Sequence, residues 1–468
     1  MPNDSDSQIT PPRRRLPLRY LLTALAALFV LPIVVWLLWG WIEAARLDRA
    51  LDALEARHER LDIDEFNLKA TTPEQREASH WYAQARKLAV ALPLPSQQGE
   101  TLGRTIEELC SDGGGGTGRA DVLRVFEQRY TEVFDLLDRA GHLDVSGWDD
   151  ADRPRRGSIE EMQSIAPTRA NVVRIARRAC TGDVDGAAAA LFSTLRLQRM
   201  WYPGPVVTPT AHSLYAVLSW GTVSAPLLEK LQREFAWLAD DRVFENWIAR
   251  ARAYWLYYTM PGVFSDEPPG FGPRRITPVE AIATRLARPL RDRRTIAELN
   301  EYDQAIDVSK RPWPQKIDEV HAFVESHRGN RSQSIRPGLI DALTRPFGAH
   351  AASGSMIGYF DAITEALARN RASIGVIAVA RYQHDHHGQR PAALQQLIPA
   401  YLPATLIDPY NGAELRYWHD CGGFKVYSVG LNRKDDSGNW EQHSDLQQSR
   451  RGNPPDIGIE VGPWPRGC

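Results

Sequence analysis

Apolar residues run unbroken by any charge from Tyr20 to Ile42 (YLLTALAALFVLPIVVWLLWGWI). At 1.5 Å per residue, a helix of that length crosses a ~30 Å hydrocarbon core. The pattern predicts a transmembrane helix over 20–42. Tyr20 stands at its near end and Trp36, Trp39 and Trp41 at its far end, where aromatic rings favour the two interfaces. Arg13, Arg14, Arg15 and Arg19 cluster before the run. Arg46, Arg49, Arg57 and Arg60 follow it, interleaved with Glu43, Asp48, Asp52, Glu55 and Glu59. The positive-inside rule therefore places tail 1–19 in the cytoplasm. A cleaved signal peptide would have a shorter apolar region and a small-residue cleavage site after it. This run is longer, and no such site follows.

Beyond the run, apolar positions recur with helical spacing. Leu47, Leu51, Leu54 and Leu61 form a short stripe, read either as a dimerising stalk or as a helix lying on its own protein. Thr72-Pro73-Glu74-Gln75 carries a capping-box signature, and Ala78, Trp81, Tyr82, Ala85 and Ala89 then share a face. Further helices are predicted over 120–140, as a pair meeting at Thr181-Gly182-Asp183 within 158–200, and over 208–221, 224–239 and 241–259. A Pro/Gly-rich loop over 260–275 separates these from helices at 277–289, 293–308 and 314–327. No 34-residue repeat is present, so 43–350 reads as an irregular array of helical hairpins.

The last stretch, 356–468, changes pattern. A long helix over 357–388 leads to a turn at Asp408-Pro409-Tyr410-Asn411-Gly412, and then to a hairpin with strands 414–418 and 424–429. The fold class is thus mainly α: a transmembrane helix, a helical body, and a small C-terminal α+β unit.

Composition narrows the function. The net charge of −2 leaves no basic excess to neutralise phosphates, which excludes a nucleic-acid binder. Local clusters such as Arg153, Arg155 and Arg156, or Arg291, Arg293 and Arg294, sit among acids and read as solvated faces. The four cysteines, Cys110, Cys180, Cys421 and Cys468, form no CxxC pair; one disulfide or none is expected, with three pairings open.

Familiar catalytic signatures are absent. Gly113 to Gly118 spells GxGxxG, but no strand precedes it, as a dinucleotide site requires. His384, Asp385, His386 and His387 lack the spacing of a helical zinc site and read as a helix end. Asp149, Asp150 and Asp152 read as acids at a solvated turn.

The C-terminal motifs resemble those of the major pseudopilin of type II secretion. The residues that carry this are Ala380-Arg381-Tyr382 with Gly388 and Pro391, Asp408-Pro409 with Gly412, Tyr427-Ser428-Val429-Gly430, and Asp456-Ile457. The resemblance covers about 371–440 and Asp456-Ile457. The whole chain resembles large anchored envelope proteins of bacteria that carry this ending on a helical body. The chain departs from pseudopilins at its anchor, which has no Gly-Phe-Thr-Leu-x-Glu processing site. The resemblance implies calcium in the loop after the YSxG strand. The expected metal ligands are Asp435, Asp436 and Asp456, oxygen donors of the kind calcium takes in sets of 6–8. Here Asn432-Arg433 replaces the family's usual Asp-Gly, and the bland reading of the loop is a solvated turn.

The expected function is a noncatalytic scaffold anchored in the bacterial inner membrane. Its main body would be periplasmic and would bind a protein partner in the envelope. An anchored metal-dependent hydrolase, with its site between the body and the C-terminal unit, is the alternative.

Overall fold

The computed structural model describes residues 18–66, 69–92, 117–143, 147–149, 151–152, 166–198, 208–259, 278–322, 352–420, 422–438 and 456–462. The loop 260–275, Gly113–Gly116 and Asp150 lie outside these residues, as do Arg153, Arg155, Arg156, Cys110, Cys421 and Cys468. Among the described residues the chain is mainly helical and divides into two compact units. One is drawn from Met1–Glu59 and Ile276–Ala297, the other from Arg60–Arg275 and Glu298–Cys468.

In the first unit, α1 (Leu18–Ala56) is one continuous helix of 39 residues with Pro32 inside it. The apolar run thus continues without a break into the charged segment. Leu28, Phe29, Leu31, Leu37 and Trp41 are each at least 64% exposed. Leu47 and Leu54 are buried. The remainder of this unit is the N-terminal part of α9 (Pro278–Ser309). Sequence spacing predicts two helices here, broken near Pro289. Instead Pro289 is accommodated inside a single helix, buried against Gly40 of α1, where a Cβ would meet its Cγ at 3.1 Å.

The second unit begins with α2 (Pro73–Ala91). Its capping box forms as expected: Gln75 N donates to Thr72 Oγ1 (3.2 Å), and Thr72 N donates to Gln75 Oε1 (3.2 Å). Helices α3 (Thr117–His142) and α4 (Ala166–Cys180) pack with α2 around Tyr82, Tyr130, Phe134, Leu137 and Trp148. The predicted hairpin pairs α4 with α5 (Val184–Gln198). Gly182 takes φ +86° in the turn, and Asp183 Oδ1 caps α5 by accepting from Gly186 N (3.0 Å). Arg174 of α4 is buried and makes a two-pronged pair with Asp138 of α3 (2.9 and 2.6 Å).

Then come α6 (Thr208–Ser219), α7 (Ala225–Leu238), α8 (Asp241–Thr259), a short helix α10 over 315–322, and α11 (Ala352–Asp385). Strands β1 (Arg416–His419), β2 (Phe424–Ser428) and β3 (Ile457–Val461) form one antiparallel sheet in the order β1-β2-β3. The register pairs Tyr417 with Val426, and Val426 with Ile459. α11 lies across this sheet, so close that a Cβ on Gly375 would touch Val426 Cγ1 at 3.0 Å. Its other side packs on α7. A single apolar core therefore runs from Leu191, Leu195, Leu228, Leu231 and Phe235 through Val376 and Val379 to Val426 and Ile459. The core does not divide at residue 350.

Candidate functional site

The loop between β2 and β3 carries the three aspartates expected to bind calcium. β2 ends at Ser428, and Gly430 turns the chain with φ +63°. Arg433, Ser437 and Gly438 also adopt left-handed backbone, which curls 431–438 into a compact loop. Asp456, immediately before β3, is 1% exposed. Its Oδ2 accepts from Gly438 N at 2.7 Å. Its Oδ1 is buried with no hydrogen-bond donor. Burial pushes its pKa up, the charges of Asp435 and Asp436 push it further, and the Gly438 and Asp436 amides oppose both.

The neighbouring carboxylates are engaged elsewhere. Asp435 Oδ1 accepts from Tyr427 Oη (3.0 Å) and Ser437 N (2.9 Å), and its Oδ2 lies 3.5 Å from Arg416 Nε. Asp436 Oδ2 accepts from Asn432 Nδ2 at 2.9 Å. Arg433 reaches away to pair with Asp318 of α10. Lys425 Nζ donates to the carbonyls of Ser437 (2.7 Å) and Gly438 (3.4 Å) and sits 4.8 Å from the centre of the Trp418 ring. The structure thus brings the three charges close enough to perturb one another and leaves Asp456 Oδ1 buried without a partner. Among the described residues, no group of three His, Cys, Asp or Glu side chains is arranged to hold a metal. One orphaned, acceptor-only oxygen in a carboxylate-rich pocket is nevertheless what a hard cation would satisfy. Sequence singles out neither Lys425 nor Arg416, and it marks Tyr427 only as part of the YSxG motif, not as a partner of the loop. Lys425 and Tyr427 belong to β2, which leads into the loop, and Arg416 to the neighbouring β1.

A second buried carboxylate organises the turn that enters the sheet. Asp408 Oδ1 accepts from Tyr410 N (2.9 Å) and Ser428 Oγ (2.8 Å), and its Oδ2 from Val429 N (2.9 Å). Burial raises its pKa, and these three bonds hold the rise back. Asp408 therefore ties together two of the motifs that carry the resemblance.

The histidines at the end of α11 are placed differently. Gly388 (φ +84°) terminates the helix. His386 stacks on Tyr382 with ring centres 3.8 Å apart. Asp385 accepts from Tyr401 Oη at 2.9 Å and lies 3.2 Å from His384 Nδ1. His384, His386 and His387 are exposed. Asp149 Oδ1 accepts from Ala151 N (3.2 Å), closing a local turn, while Asp152 faces His80 (3.6 Å). Neither set forms a convergent pocket of acids and bases.

Cys180, at the end of α4, is disulfide-bonded. The other three cysteines lie outside the described residues.

α1 is long and apolar enough to cross a membrane. Its length of about 58 Å at 1.5 Å per residue is about twice the hydrocarbon thickness. Comparison of the chain with protein-family models, curated proteins and solved structures finds no match in any of the three.

Proposed function

We propose that this chain is a noncatalytic envelope scaffold, held in a bacterial inner membrane by α1, with its tail cytoplasmic and its body periplasmic. The observation that carries the reading is the exposed apolar surface of α1 from Leu28 to Ile42, whereas the other large apolar side chains among the described residues are mostly buried. A soluble helix hides such a stripe; this one offers most of it to solvent, with only the side of Trp36, Trp39 and Gly40 partly covered. The arginine cluster at 13–19 supports the orientation, and the disulfide at Cys180 suits an oxidising compartment.

The body supplies docking surface for another envelope protein, and the C-terminal unit, pseudopilin-like in its motifs, caps the array. The 431–438 loop takes calcium. Asp456 supplies the orphaned oxygen, and Asp435 and Asp436 add negative charge beside it. The bound ion would neutralise that charge and set the loop's shape.

The test is fractionation followed by protease protection. The full chain should stay in membranes through alkaline carbonate and leave them only with detergent. In spheroplasts, external protease should cleave the body and spare the tail. Release by carbonate sinks the anchor, whereas an anchored chain protected from external protease reverses the orientation.

A further inference from the structure

We propose that Arg288, Arg291 and Arg293 on α9 form a binding surface for the anionic headgroups of phospholipids in the membrane that α1 spans. The inference rests on the anchoring reading and adds a second contact with the same bilayer.

Pro289 sets the height of the cluster. It is buried against Gly40, which has no side chain to hold the two helices apart. Gly40 lies at the end of the apolar run, among Trp36, Trp39 and Trp41. Trp36 and Trp39 meet edge to face at 5.1 Å, and Trp39 Nε1 donates to Glu43, the first charged residue after the run, at 2.9 Å. Tryptophans followed by charge mark the level where hydrocarbon gives way to headgroups. Pro289 is therefore fixed at that level. Each of the three arginines lies within four residues of it, about 6 Å or less along the helix.

Their surroundings leave positive charge over. Asp292 is 1% exposed and faces inward, taking Arg288 Nε at 3.4 Å and Arg291 Nη2 at 3.1 Å. Those two arginines are still 62% and 42% exposed, and Arg293 is exposed as well. Segment 288–293 holds three arginines and one aspartate in a chain whose overall charge is −2. One buried acid anchors the guanidinium stems, and the surplus charge faces outward beside the interface. Phosphodiester headgroups match the guanidinium fork. Sequence alone makes this cluster a solvated face; its height beside Gly40 gives it a partner.

The test uses the full chain in mild detergent, titrated with phosphatidylglycerol or phosphatidylcholine and read by native mass spectrometry. Phosphatidylglycerol should bind at least about tenfold more tightly, with the preference shrinking as salt rises. The double variant Arg288→Gln/Arg293→Gln keeps Arg291 on Asp292 and so preserves the buried pair. It should weaken phosphatidylglycerol binding by about twentyfold and leave phosphatidylcholine unchanged. Arg288→Lys/Arg293→Lys should restore the preference. Equal binding of the two lipids, or a double variant that keeps the preference, overturns the proposal while the anchor stands. A chain that stays dispersed without detergent overturns the anchor and this surface together.

Discussion

Replacing Asp408 with alanine strips the acceptor from three donors at once: the amides of Tyr410 and Val429 and the hydroxyl of Ser428. The site is 1% exposed, so water does not replace the carboxylate. Each buried donor left without a partner costs about 1–3 kcal/mol. The Ser428 hydroxyl can rotate to a new acceptor, and removing a desolvated charge gives some energy back. The net expectation is about 3–5 kcal/mol. Asp408→Asn should cost less, about 1–3 kcal/mol, because its oxygen still serves Tyr410 and Ser428 while its amide opposes the Val429 N–H. The assay is urea unfolding of the full chain in detergent, with hydrogen exchange over 406–430 to localise the loss. The pH dependence has a definite sign. Burial raises the folded-state pKa of Asp408, so the native protein takes up this proton more readily than the unfolded chain. Wild-type stability relative to the alanine variant should therefore grow as pH falls from 7 through that raised pKa toward the ordinary carboxylate value. A cost below about 1 kcal/mol, or a gap that closes on acidification, would refute the assignment of Asp408 as a buried acceptor whose charge is opposed by burial.

Three further outcomes are expected. Calcium at about a hundred times its dissociation constant should stabilise the full chain by about 2.7 kcal/mol, read as a chelator-reversible rise in melting temperature. That rise should vanish in Asp456→Ala and shrink in Asp435→Ala and Asp436→Ala; its absence in the wild type would make the loop a plain turn. Asp138→Ala should cost about 2–4 kcal/mol in urea unfolding by leaving Arg174 buried and unpaired, less than for a fully buried pair because Asp138 is 36% exposed. Gly141→Ala would put a Cβ 2.3 Å from Ser193 Oγ, and should destabilise by about 1–3 kcal/mol. Ser193→Gly should recover most of that loss, and failure to do so would place the strain elsewhere.

What could be read from sequence was what is decided locally. The Thr72 box closes through bonds spanning three residues, and the α4–α5 turn needs only Gly182 and Asp183, so both appear as expected. The apolar run and the end of α11 at Gly388 belong to the same class. Features fixed by distant chain segments were not legible. Pro289 reads as a break because the missing amide disfavours a helix interior, yet packing against Gly40 carries the helix through it. The third strand, 457–461, could be seen as a motif, but its pairing with β2 bridges more than twenty-five residues. At the candidate site the sequence shows oxygen-bearing side chains but not their aim. Arg416 and Tyr427, supplied by β1 and β2, turn Asp435 aside, whereas burial leaves Asp456 Oδ1 unpartnered.

The shared core has a consequence for how the protein is made. α7 buries Leu228, Leu231, Phe235 and Leu238 against residues of α11 such as Val376 and Val379, about 140 residues later in synthesis. At about 5–20 residues per second, the ribosome takes roughly 7–28 s to cover that gap. Throughout it, the finished helices display an apolar face whose cover has not yet been built. A nascent chain in this state needs a holding chaperone, and a ribosome stalled anywhere before residue 352 leaves a product committed to aggregation or proteolysis rather than a smaller working protein.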